Sequence, residues 1–168
     1  TPPAAMPRAL DSSAAWQAFL ATADSTAVNN AYEALDAVGY DGEVVDPAHC
    51  VAGHDALAAA VAVVPVSLAL RRASYLCAQA ARDGVAADQA MDDLVVLSRD
   101  ALRGAGDLET GRPIRVVAPV DAAALVVSSG LKVAYLYYPQ QRPARYFPLV
   151  LAANDATLAV VALRPRLI

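Results

Sequence analysis

The chain has 168 residues, of which 57% are hydrophobic and 18% charged, with a net charge of −4. It is long enough for one domain with a real core, and too apolar and sparsely charged for intrinsic disorder. The longest apolar run, ALAAAVAVVPVSLAL at 56–70, is broken by Pro65 and too short to span a bilayer, so it reads as buried core.

Charge is polarised along the chain. Residues 1–111 carry six arginines against fifteen acids, a net of −9, and residues 112–168 carry six arginines and the single lysine against two acids, a net of +5. Such asymmetry suggests complementary faces or an anionic partner. The chain opens TPPAAMPRAL rather than on Met, so it is expected to have been processed or cut from something longer.

The acidic part reads as helical. DSSAAWQAFLATAD (11–24) offers caps at Asp11 to Ser13 and places Trp16, Phe19, Leu20 and Ala23 on one face. In STAVNNAYEALDAVG (25–39), Ser25 is the expected cap, Val28, Tyr32, Leu35 and Val38 the inner stripe, and Gly39 the stop. YDGEVVDPAHCVAG (40–53) reads as a turn-rich connection with a short strand at 43–45. A third helix is expected from near Asp55, kinked or split at Pro65. VSLALRRASYLCAQAARDG (66–84) has a stripe of Val66, Leu70, Ala73, Cys77 and Ala80, with Gly84 as its stop. A last helix is expected over 87–103, with Met91, Leu94, Leu97 and Ala101 inward and Asp92, Asp93, Arg99 and Asp100 outward.

Beyond GAGDLETGRP (104–113) the period shifts from 3.6 to 2. IRVVAPV (114–120), ALVV (124–127), LKVAYLYY (131–138), RYFPLVLA (145–152) and TLAVVAL (157–163) read as five strands. Turns are expected at 128–130 and at Asn154–Asp155, and Pro148 points to an edge strand or a bulge. Short connections predict antiparallel pairing. The fold class expected is therefore α+β, with four or five N-terminal helices packed on a C-terminal antiparallel β-meander of four to five strands. One domain is expected over 1–168, acidic and helical to 111, basic and β-rich from 112. Several strands are apolar on both faces, which calls for a second layer or a partner chain.

Cys50 and Cys77 are too few for a disulfide framework. One straight helix over 55–82 would hold them ~40 Å apart at ~1.5 Å per residue, and only a sharp break at Pro65 could join them. Free buried thiols are the expectation, which slightly favours a reducing, intracellular compartment.

DPAHCVAGHD (46–55) is the stretch closest to a reactive site, with His49, Cys50 and His54 as candidate metal ligands. The spacing departs from HExxH, since two histidines five apart on a helix stand about 140° apart round it. A thiol enzyme would use Cys50, His54 as base and Asp46 or Asp55 as orienter. P-loop, dinucleotide and GxSxG signatures are missing, so no cofactor is expected.

YLYYPQQRPARYFP (135–148) holds five of the ten aromatic residues. Tyr135 and Tyr137 share one side of their strand, Tyr138 takes the other, and Arg142, Arg145 and Tyr146 follow in a proline-stiffened loop. Tyr and Arg are what protein interfaces enrich, and the same residues can stack bases and hold phosphates.

The function expected is a non-enzymatic structural or interaction domain. It would be a component of a larger assembly, such as a viral capsid element or an organelle complex subunit, with protein partners or copies of itself. One alternative is a small metal- or thiol-dependent enzyme at His49, Cys50 and His54. Another is an anion- or RNA-binding module using Lys132, Arg142, Arg145, Arg164 and Arg166, with affinity that falls steeply with salt.

Overall fold

A computed structural model describes residues 9–103, 114–128, 133–137, 147–153 and 156–162, the last three segments as backbone. Its first five helices are α1 (Ser12–Thr22), α2 (Ser25–Ala37), α3 (Pro47–Val63), α4 (Leu68–Ala80) and α5 (Gly84–Leu102). Each starts at a short polar side chain that accepts from a first-turn amide. Asp11 takes the amide of Ala14, Asp24 that of Ala27, Asp46 those of Ala48 and His49, Ser67 that of Leu70, and Asp83 that of Ala86. A cap of this kind contributes about 1 kcal/mol.

Several boundaries differ from expectation. The α2 cap is Asp24, with Ser25 already helical. α3 begins at Pro47, which lacks an N–H and suits a first turn, so the expected connection over 40–53 is half helix, and no strand forms at 43–45. Leu20 is exposed rather than inward. Asp93 is buried rather than outward.

Two helices end alike, with different residues at the critical position. After α2, Gly39 (φ +66°) lets the amides of Gly39 and Tyr40 reach the carbonyls of Asp36 and Leu35. After α4, Arg82 (φ +56°) takes the same left-handed position, and the amides of Arg82 and Asp83 reach the carbonyls of Gln79 and Ala78. Gly84, the expected stop, is instead the first residue of α5.

The C-terminal part overturns the expected fold class. The described residues are mostly helical, with six helices, and through residue 128 they contain a single strand, β1 (Ile114–Val116), of three residues. The ALVV stretch expected as a strand lies in α6 (Pro119–Ser128). Pro119 and Asp121 open that helix, and its short apolar run fits helix and strand equally by pattern. The later strands are β2 (Val133–Tyr137), β3 (Phe147–Ala153) and β4 (Ala156–Ala162), in sheet order β1-β4-β3-β2. β1 pairs with β4 in parallel, Ile114 opposite Val160, so the sheet is not an antiparallel meander. A parallel pair needs a long return, and α6 with the intervening strands supplies it.

Pro148 sits in an inner strand, not at an edge. It pairs with Val161 on β4, and among the described residues β2 pairs with residues 150–153 of β3. The register irregularity lies instead between Val133 and Tyr135. The expected turn at Asn154–Asp155 lies outside the described residues, between strands whose pairing starts at Ala153 and Ala156.

The core joins the helices to the start of the sheet. Val28 and Val38 of the α2 region, Val64, Leu70, Leu94, Ile114, Val116, Val117 and Leu125 are fully buried. Trp16 meets Phe19 edge-on, and Arg115 lies over the Trp16 ring at 4.3 Å, tying α1 to β1. Among the described residues no helix is long and apolar enough to cross a membrane.

Candidate functional site

Cys50 and Cys77 form a disulfide, with their Cα atoms 5.4 Å apart. The expectation of free thiols is therefore overturned. The break at Pro65 that could bring them together is present: α3 ends at Val63, α4 starts at Leu68, and the two helices fold back on each other. Arg71 holds that corner by donating from Nε and Nη2 to the Pro65 carbonyl, and from Nη1 to Asp93 of α5 at 2.9 Å. Burial lowers the Arg71 pKa below its ordinary value, and Asp93 opposes that shift.

Beside the disulfide runs a groove of about 570 Å³, within the size range of ligand and peptide sites. One wall comes from α3, with Val51, Leu57 and Ala58, and the other from α4 and the start of α5, with Ala78, Ala81 and Ala86. Its polar lining among the described residues consists of His54, Asp55, Ser74 and Asp83, with no arginine or lysine among them. The groove is thus apolar with an acidic rim.

The apolar surface extends past the groove because α3 lacks a polar face. Its sequence, PAHCVAGHDALAAAVAV, is apolar nearly all round, a pattern that normally marks a fully buried helix. Here only Cys50, Gly53, Leu57 and Ala60 are buried. Val51 is 80% exposed, Val63 is exposed, and Val85 at the start of α5 is 83% exposed.

A second polar cluster is internal. The Asp121 carboxylate, 1% exposed, accepts from Ser67 Oγ and the Ala69 amide on one oxygen, and from Tyr32 Oη and the Ala118 amide on the other. The start of α4 and the start of α6 therefore converge on one carboxylate, where the positive ends of both helices favour an anion. Burial nevertheless pushes the Asp121 pKa up, and the four donors pull it down. The cluster is closed to solvent, and every lone pair has its donor, so its role is to join elements. Nearby, burial pushes the Tyr40 phenol up to about 12, with Arg72 opposing.

The residues singled out from sequence are only partly brought together. Cys50 lies in the groove wall but in a disulfide, so a thiolate there would first require its reduction. His54 is at the groove rim, its Nδ1 3.2 Å from Asp55, while His49 is exposed beside Asp46. Among the described residues no three His, Cys, Asp or Glu side chains gather as a metal site. Tyr135 and Tyr137 stand on β2, paired with Ala152 and Val150. Tyr138, Arg142, Arg145 and Tyr146 lie outside the described residues, as do Lys132, Arg164 and Arg166.

Sequence reasoning missed the groove and the Asp121 cluster. The groove had a readable signal, Asp46–Pro47 as cap and first helical residue, which extends α3 back over Cys50. For Asp121 only its bond to the Ala118 amide is local; its side-chain partners Tyr32 and Ser67 stand 89 and 54 positions away, out of reach of any local pattern. No protein-family model, no curated protein and no solved structure matches this chain, so the reading of its function rests on this groove and the exposed face of α3.

Proposed function

We propose that the chain is a non-enzymatic structural domain that assembles with copies of itself as a component of a larger complex. The observation carrying this reading is α3, a helix apolar nearly all round of which only Cys50, Gly53, Leu57 and Ala60 are buried. An exposed apolar face of this kind, rimmed by polar groups, favours association. Charge supports a second copy as the occupant. Among the described residues the groove rim bears Asp55 and Asp83 without a lysine or arginine, and residues 112–168 carry a net of +5. Contact between unlike surfaces is heterologous, so it propagates beyond a dimer unless it closes into a ring.

Sedimentation velocity from low to high micromolar concentration tests the reading. Species larger than a dimer are expected, weakening as salt screens the charges, and Val51→Asp should shift the distribution toward single chains. A single-chain sedimentation coefficient at every concentration and salt would overturn it.

A further inference from the structure

The first half of α3 buries little large apolar surface: besides its disulfide it is held by close packing on α2 at Gly53 and by the Asp46 amide, which donates to the Val38 carbonyl. Of the four buried residues of this helix, Leu57 is the one large aliphatic side chain, and Cys50, Gly53 and Ala60 are small. By comparison α2 buries Val28, Tyr32 and Leu35, and α4 buries Leu68 and Leu70. Hydrophobic stabilisation follows apolar area, so small residues fasten α3 weakly. Gly53 rests against α2, where an added Cβ would meet Val38. Toward α4 the groove separates the two helices, and Cys50–Cys77 crosses between them.

The rest of the fold is fastened independently of that bridge. The Asp121 cluster joins α2, α4 and α6. Arg71 clamps the Pro65 carbonyl and Asp93 on the far side of the corner. Val64 is fully buried just past the end of α3. Loss of the disulfide would therefore free the start of α3 and leave its end anchored.

We propose that Cys50–Cys77 is a redox latch. Oxidised, it holds residues 47–58 against α4 and forms the groove. Reduced by a dithiol, it releases them and dismantles the groove, so the surface is presented only where thiols are kept oxidised. Both cysteines are largely buried, 6% and 9% exposed, but they lie in the groove wall, so the groove is the route by which a reductant meets the sulfurs. A thiolate of the dithiol attacks one sulfur, forming a mixed disulfide and freeing one cysteine. Its second thiol then displaces the other cysteine. Two electrons and two protons pass to the chain, leaving two cysteine thiols, and the reductant departs as its own disulfide. The latch is a property of one chain and does not depend on self-association.

Amide hydrogen exchange of the full chain, with and without dithiothreitol, tests this. On reduction, exchange within 47–58 should accelerate at least ~10-fold, while α4 and α5 change by less than about 3-fold. The double variant Cys50→Ser/Cys77→Ser should reproduce the reduced pattern without reductant. If that variant does not fold, in situ reduction of the folded wild type decides alone. Unchanged protection over 47–58 after reduction would overturn the latch. So would equal loss of protection across α2, α4 and α5, a bridge that dithiothreitol cannot open in the folded chain, or two free thiols in the unreduced, denatured protein.

Discussion

Tyr32 on α2 donates its phenolic hydrogen to the carboxylate of Asp121 on α6, 89 positions further along the chain. The same carboxylate takes the Ser67 hydroxyl and the amides of Ala69 and Ala118. One buried side chain thus fixes where α2, α4 and α6 meet. Asp121→Ala would strand two backbone amides and two hydroxyls, and a buried donor without a partner costs about 1–3 kcal/mol. A loss of about 4 kcal/mol is expected in urea denaturation at an unchanged m value. Tyr32→Phe, which removes one donor and leaves the carboxylate three, should cost about 1 kcal/mol.

The same site predicts a pH dependence of definite sign. Burial is the largest influence on Asp121 and raises its pKa. A carboxyl raised on folding binds its proton more tightly in the folded chain. Its stabilising contribution is complete below the ordinary carboxylate range and is lost as pH rises through the raised value. The stability of wild type relative to Asp121→Asn should therefore fall from about pH 4 toward neutrality. Asp41, lowered by the amides of Val44 and Glu43, titrates in both proteins and cancels from the comparison. An advantage that grew with pH would show that the four hydrogen bonds outweigh burial.

Arg71 is not replaceable by lysine. Its guanidinium reaches the Pro65 carbonyl through two nitrogens and Asp93 through the third, and an ammonium is a single point charge. Arg71→Lys should destabilise by about 2 kcal/mol, and Arg71→Met, which leaves buried Asp93 without its cation, by about 3 kcal/mol. Thermal unfolding of the two variants ranks them. Equal stability of Arg71→Lys and wild type would show that charge alone suffices.

At Gly53, α3 lies close against the end of α2. A Cβ there would stand 2.9 Å from Val38 Cγ1 and 3.3 Å from the Ala37 carbonyl oxygen. Backbone on α2 cannot swing away as a side-chain tip can. Alanine normally strengthens a helix relative to glycine, but Gly53→Ala should cost about 1–3 kcal/mol through overpacking. A gain in melting temperature would mean that α3 can move off α2 freely.

Arg82→Gly should do the opposite. Arg82 holds φ +56° in the turn that ends α4, where a left-handed side chain costs about 1–2 kcal/mol. Glycine removes that strain but loses more entropy on folding, so a net gain of about 0.5–1 kcal/mol is expected. Chemical denaturation measures it, and a destabilised variant would refute the assignment of strain to this residue.

The helix-rich beginning was legible wherever local chemistry decided it. Asp11 caps its helix through a neighbour three residues away, and Gly39 ends α2 because a left-handed φ suits a residue without a Cβ. Misreadings fell where one pattern fits two structures. Asp46–Pro47 reads as a turn or as a helix start, and AALVV within α6 reads as a strand or as a helix. Leu20 and Asp93 exchanged sides because their burial depends on what packs opposite them.

By itself the sequence determined the cap at Asp11, the stop at Gly39, the break at Pro65 and the polarity of charge, all of which act through bonded neighbours or simple sums. Tertiary structure alone decided the rest. It brought Cys50 to Cys77 across the Pro65 corner, set β1 in parallel with β4 and buried Asp121 among three donors from distant segments and one from its own helix start. It also left most of α3 uncovered. Each of these depends on which surfaces meet, and an apolar helix carries the same residues whether its outer face is covered or bare.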